Sequence, residues 1–127
     1  MIQIQTILKI ADNSGVKSAK TIKILKKGQN TRYGKIGDVI VISVKKLHKK
    51  NRLVSKLKKG AVCFAVIVKV SAITKRNFGL NFKFSSNSIV LLNKQLKPIA
   101  NRIIGILPNE LRNEKFAKLF SLSSGFI

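Results

Sequence analysis

A chain of 127 residues with 45% hydrophobic side chains is long enough for one domain with its own core, which excludes wholesale disorder. Lys and Arg number 26 against four Asp and Glu, a formal charge of +22 that repels itself unless a polyanion is near. Nucleic acid is the commonest such partner. A membrane surface is disfavoured, because the chain holds neither an apolar run of about 18 residues nor a long basic amphipathic helix.

Residues 2–11 begin with Ile2 and Ile4 alternating with Gln3 and Gln5, then turn apolar at Ile7, Leu8 and Ile10. That alternation predicts a strand at the start rather than a signal peptide or a cleavable import sequence. Asp12-Asn13-Ser14-Gly15 is a turn, since Asp and Asn bond their own backbone and Gly accepts a positive φ. The chain returns through residues 16–25, with Ile22 and Ile24 separated by Lys23, which completes a β-hairpin. A cationic loop over 26–34 carries Tyr33. Gly37-Asp38 opens a further strand over 39–44, and this runs into the most basic stretch, residues 45–59. There Leu47, Leu53, Val54 and Leu57 are scattered among lysines, the pattern of a long twisted hairpin with its cations pointing outward.

Within the apolar run over 60–70, rich in β-branched side chains, residues 61–68 are apolar on both faces of a pleat, so a strand here is expected to be buried on both sides. The single cysteine, Cys63, lies inside that run and reads as a small core side chain. A polar loop over 71–80 holds Lys75, Arg76, Phe78 and Gly79. Short strands follow over 81–84 and 88–92, with a turn over 93–98. Residues 99–107 are mostly apolar, broken by Asn101-Arg102 and Gly105. Pro108 suits the first turn of a short helix containing Glu110, Leu111 and Arg112, and Asn113 suits the cap of a second. In that second helix Phe116, Leu119 and Phe120 make one apolar stripe, while Lys115 and Lys118 point elsewhere. Glu114 and Lys118 have the spacing of a surface ion pair. Short strands with regular turns and a little terminal helix predict a mostly-β fold, a small antiparallel barrel in a single domain. Residues 1–107 form its body and 108–127 its helical end.

Catalytic chemistry is thinly provisioned. The four carboxylates Asp12, Asp38, Glu110 and Glu114 are scattered, and one His with one Cys cannot make a zinc finger. His48, among lysines, reads as a solvated or phosphate-contacting ring. No phosphate-cradling Gly-Lys-Ser/Thr loop or dinucleotide fingerprint is present. The expectation is a binding protein, not an enzyme, with no cofactor, no metal and no small-molecule substrate.

Several segments resemble bacterial and organellar ribosomal large-subunit protein fourteen, nearly along the whole chain and in the right order. They are Met1 through Gly15 (MIQIQTILKIADNSG), Gly37-Asp38-Val39-Ile40, Lys58-Lys59-Gly60 leading to Ala65-Val66-Ile67-Val68, Phe84 through Asn93 (FSSNSIVLLN), Pro98 through Gly105 (PIANRIIG) and Glu110 through Phe116 (ELRNEKF). The resemblance implies a five-stranded barrel with a projecting basic β-ribbon and two short C-terminal helices. It implies binding to large-subunit rRNA, an intersubunit bridge to small-subunit rRNA, and contact with large-subunit protein nineteen. It also implies a docking face for the ribosome silencing factor, and this bridge face falls here on Asn101, Arg102, Lys115 and Lys118. The chain departs from the family in having Ala100-Asn101-Arg102 for Gly-Thr-Arg, Phe78 for a small polar residue, and a longer, more basic 45–59 ribbon.

The expected phosphate contacts are Lys17, Lys20, Lys45, Lys46, Lys49, Lys50, Arg52, Lys56, Lys58, Lys59, Lys75, Arg76, Arg102 and Arg112, cations on loops and strand ends that neutralise backbone without reading sequence. Tyr33 and Phe78, in cationic loops, are candidates for stacking on unpaired bases. The preference for Lys over Arg, with abundant Ile, Asn and Phe, suggests an AT-rich genome. The expected location is therefore the mitochondrial matrix, for an organelle-encoded mitoribosomal protein, with plastid or bacterial cytoplasm as the alternatives. A free-standing nucleic-acid-binding barrel is the competing reading of the residues themselves.

Overall fold

The strand over Val62–Lys69 is the partition of the molecule. Its side chains point alternately to two separate apolar layers: Ala65 and Ile67 into one, Val66 and Val68 into the other. Two-sided burial explains why the sequence there is an unbroken apolar run instead of an alternating one. In a computed structural model, which describes residues 1–25, 32–48, 57–112 and 114–127, the strands are β1 (Ile7–Ile10), β2 (Val16–Leu25), β3 (Val39–Leu47), β4 (Val62–Lys69), β5 (Thr74–Lys75), β6 (Asn81–Phe82) and β7 (Ser88–Leu92). β1, β2, β3, β4 and β7 close into a five-stranded barrel, and β5 and β6 form a separate two-stranded hairpin.

The barrel is antiparallel at every seam but one. β1 pairs with β7 in parallel, Lys9 opposite Ser88 and Ile10 opposite Ile89. The expected small antiparallel barrel is present, with this one parallel seam for a topological reason. Strand direction cannot alternate all the way round a ring of five, so one seam must join strands running the same way. Closure leaves no free edge among these strands, which removes the template for sheet-to-sheet aggregation.

Inside the barrel lie Leu8, Val16, Ala19, Ile40, Ile42, Val44, Ile89 and Leu91, with Ile2. The second layer joins the outer side of β4 and β7, at Val66, Val68, Val90 and Leu92, to Ile103, Leu107, Leu111, Phe116 and Leu119. Residues 103–111 and 116–119 are thus held by burial against the outside of the barrel. β7 is buried at all five positions because it too serves both layers.

Two expectations about the ends of the chain shift. Regular pairing starts at Ile7, not Ile2, because Gln5 takes a φ of +68° and turns the backbone. Ile2 instead makes an isolated bridge to Gly34, with Ile2 N–H donating to Gly34 O at 3.1 Å and Gly34 N–H to Ile2 O at 2.6 Å. The approach is close, since a Cβ on Gly34 would sit 2.7 Å from Ile67 Cδ1 and would make that buried side chain shift. At the other end, the first expected helix is a three-residue 3₁₀ turn, Asn109–Leu111. Pro108 before it is extended at φ −77° and ψ 144°, and Arg112 after it leaves helical geometry at ψ 63°. A second 3₁₀ turn, Glu114–Phe116, leads into α1 (Ala117–Leu122), and the stripe of Phe116, Leu119 and Phe120 faces the barrel as expected.

Candidate nucleic-acid interface

The register of the barrel brings cations from distant parts of the sequence to one end. β2 begins where β3 finishes: Val16 faces Leu47 and Ser18 faces Lys46, which sets Lys17 beside Lys45 and Lys46. The turn feeding β4 lies against the same place, because Gly60 N–H donates to Val44 O and Ala61 N–H to Lys58 O. Lys58 and Lys59 therefore join the group, and all five of these lysines are exposed. Arg102 comes from the other layer: Asn13 N–H, in the β1–β2 turn, donates to Arg102 O at 3.1 Å. Strand alternation supplies the mechanism of display, since inward apolar residues force their neighbours outward. Lys20, half-buried and opposite Ser43, lies farther along the same strand.

This end is anchored by a buried carboxylate. Asp12 accepts from Ser14 N–H through Oδ1 at 3.0 Å and from Leu91 N–H through Oδ2 at 2.8 Å. The first turn of the chain is thereby tied to the closing strand, and the loop that presents Arg102 is tied to both. With four carboxylates among 26 cations, most of the positive charge in this chain has no internal counterion.

Asn101 and Arg102 are exposed and lie against the end of α1, since Ile103 N–H donates to Leu122 O at 3.0 Å. Asn13, Arg102, Ile104, Leu122 and Ser124 line a shallow groove there. Lys115 and Lys118 are exposed on the terminal helical segment, opposite its buried stripe.

Lys75 and Arg76 occupy the far end of the barrel, after β4, and Arg112 follows the 3₁₀ turn whose Leu111 packs near Gly37 at that end. Lys75 and Arg112 are exposed. Arg76 is committed internally. Its Nε donates to Glu110 Oε1 at 2.7 Å, and its Nη2 to Glu110 Oε2 at 3.1 Å and to Ile127 O at 2.8 Å. Its guanidinium also lies 4.4 Å from the centroid of Phe82. Glu110 is held below the usual carboxylate range, first by the hydrogen bond from Arg76. Sequence reasoning missed this clamp, because its partners are 34 and 51 residues apart and no local pattern links them. Lys69 is a partly covered cation: burial pushes its ammonium down, 5.7 Å from the Phe84 ring centroid. Lys49, Lys50, Arg52 and Lys56, the tip of the expected ribbon, lie outside the described residues, as do the 26–31 segment and the Glu114 side chain.

Among the described residues no three His, Cys, Asp or Glu side chains gather as a metal site, and no helix is long and apolar enough to cross a membrane. The whole chain, residues 1–127, matches the family model described as ribosomal protein L14p/L23e. The chain belongs to that family. It is 47% identical over 127 residues, the full length of both chains, to the large ribosomal subunit protein uL14 of Carsonella ruddii (strain PV). This is a family of structural ribosomal proteins and not of enzymes.

Proposed function

We propose that this chain is a structural constituent of the large ribosomal subunit that binds large-subunit rRNA through the cationic end of its barrel. The observation that carries the reading is the convergence of Lys17, Lys45, Lys46, Lys58, Lys59 and Arg102 from four separate segments onto one rim, in a chain of net charge +22. Such a rim neutralises phosphate and reads the shape of folded RNA, not its sequence. The full-length likeness to a large-subunit protein supports the same conclusion.

Asn101, Arg102, Lys115 and Lys118 form the second face of this proposal, where small-subunit rRNA would be bridged. Large-subunit protein nineteen and the ribosome silencing factor are the protein partners proposed for the assembled particle. The Carsonella ruddii relative supports the bacterial cytoplasm as location, whereas the mitochondrial matrix rests on composition alone.

The test is the salt dependence of rRNA binding. Replacing Lys45, Lys46, Lys58 and Lys59 by Ala should lower the slope of log affinity against log salt by about three, at roughly 0.7–0.9 per phosphate contact. An unchanged slope removes this rim from the interface. Sedimentation checks the setting: the protein should travel with large subunits, and a protein found mainly free would favour the independent barrel.

A further inference from the structure

We infer that the β5–β6 hairpin is a stacking finger for an unpaired RNA base, with Phe78 as its platform. The site rests on the rRNA reading above and adds to it a ligand class that the cationic rim does not require. Thr74 faces Phe82 and Lys75 faces Asn81, which leaves a tight loop from Arg76 to Leu80. Arg76 N–H donates to Leu80 O at 3.0 Å, and Gly79 N–H to Arg76 O at 3.1 Å. Gly79 stands at φ +76°, the left-handed residue that closes a three-residue hairpin loop. Phe78 is the residue that this geometry pushes outermost, and it is 93% exposed.

The turn itself needs no aromatic ring at that place. Phe64, Phe82, Phe84, Phe116 and Phe120 are all buried or half-buried, so Phe78 gains none of the packing they gain. Its support is nonetheless stiff. The stem is braced by the Arg76 guanidinium on the Phe82 ring, by the Arg76–Glu110 pair, and by the edge-to-face contact of Phe82 with Phe84 at 5.7 Å. The stem is thus ordered before binding, so stacking has to fix only the rotamers of the ring.

Charge decides between a base and an apolar protein pocket. Lys75 and Lys83 flank the hairpin and are exposed, Asn77 precedes the ring, and the chain as a whole carries +22. A planar ring with both faces open, beside cations that reach backbone phosphate, has the two parts of a single-strand site. The exposed side chains of Ile73, at the base of the finger, and of Leu80, beside its tip, add apolar surface.

The chain contains no tryptophan, so Phe78→Trp installs a single reporter at the platform. The full-length protein is titrated at low salt with a short oligoadenylate RNA, the same strand paired with oligouridylate, and an abasic strand of equal length. Tryptophan emission should be quenched by the single strand and not by the duplex or the abasic strand. Phe78→Ala should weaken single-strand binding by about five- to hundredfold and leave duplex binding unchanged. Phe78→Leu, which keeps apolar bulk without a stacking face, should be as weak as Phe78→Ala. A Phe78→Leu protein that binds like the parent, or a tryptophan that stays bright while the strand binds, would overturn the site and assign the tip to a protein pocket, with the rRNA reading intact. A parent protein that binds no RNA at low salt would overturn both.

Discussion

The Asp12 carboxylate accepts a hydrogen bond from the Leu91 amide across 79 residues of sequence, and its second oxygen accepts from Ser14. Both oxygens are thus in use in a side chain that is 5% exposed. Asp12→Ala leaves the Leu91 N–H without this acceptor inside the protein, which should cost about 1–3 kcal/mol in a urea or thermal unfolding experiment. Asp12→Asn offers one oxygen where two are needed and should fall between parent and alanine variant. Equal stability of all three proteins would mean that the carboxylate is dispensable at this seam.

The hairpin over Asp12–Gly15 was legible from composition, because Asp, Asn, Ser and Gly in succession leave few other local structures. So was the centre of β4, Ala65 to Val68, whose two-sided burial needs apolar residues at consecutive positions. The seam between β1 and β7 was not legible, because it is made by pairing across nearly the whole chain and follows from ring closure instead of local pattern. The same holds for the site. Which residues were cationic was plain, and so was the face of the terminal helix that would be buried. That Lys17, Lys45 and Lys58 share one rim depends on register, and that Arg76 grips the tail depends on a fold that brings residues 76, 110 and 127 together.

The Arg76–Glu110 clamp should hold the end of the chain against residues 107–109, where Ile127 N–H donates to Leu107 O and Asn109 N–H to Ile127 O. Glu110 has its carboxyl pKa depressed by the Arg76 hydrogen bond first, so its contribution is present above the ordinary value near 4.5 and is lost as pH falls below it. Once the intrinsic pH dependence of exchange is divided out, the Ile127 amide should therefore exchange faster, relative to an unstructured amide at the same pH, below that value in the parent. Glu110→Gln should show the faster exchange already at neutral pH. Arg76→Lys should behave similarly, since an ammonium cannot reproduce the two-pronged contact. Exchange unaffected by either substitution would show that the tail is held by its backbone bridge alone.

Thr21 points the other way, to a substitution that stabilises. Its side chain is 1% exposed, and its hydroxyl oxygen has no hydrogen-bond partner, although its backbone N–H and C=O pair with Thr6 and Gln5. Valine keeps the shape and the β-branching while removing the unpaired hydroxyl. Thr21→Val should raise the unfolding free energy by roughly 1 kcal/mol. A loss of stability would reveal a hydrogen bond to Thr21 that this structure does not contain.

Cys63 links the core to alkaline pH. Burial, and after it the charge of Asp12, push its thiol up from 9.0 to about 11. At pH 8 the thiolate fraction is then about a hundredfold below that of a free thiol, and alkylation by iodoacetamide should be slower in proportion. The sign of the linkage follows from the raised value. The folded state holds this proton more tightly than the unfolded chain, so the stabilisation is complete below pH 9.0 and is lost as pH rises towards about 11. Half-burial of the side chain limits the effect to about 1–2 kcal/mol. Lysines titrate in the same range, so the measurement is the difference between the parent and Cys63→Ala in unfolding free energy from pH 8 to pH 11. That difference should shrink with rising pH, and Asp12→Asn should speed alkylation of the thiol. A difference that stays constant across the range would place the thiol in contact with water and out of the core.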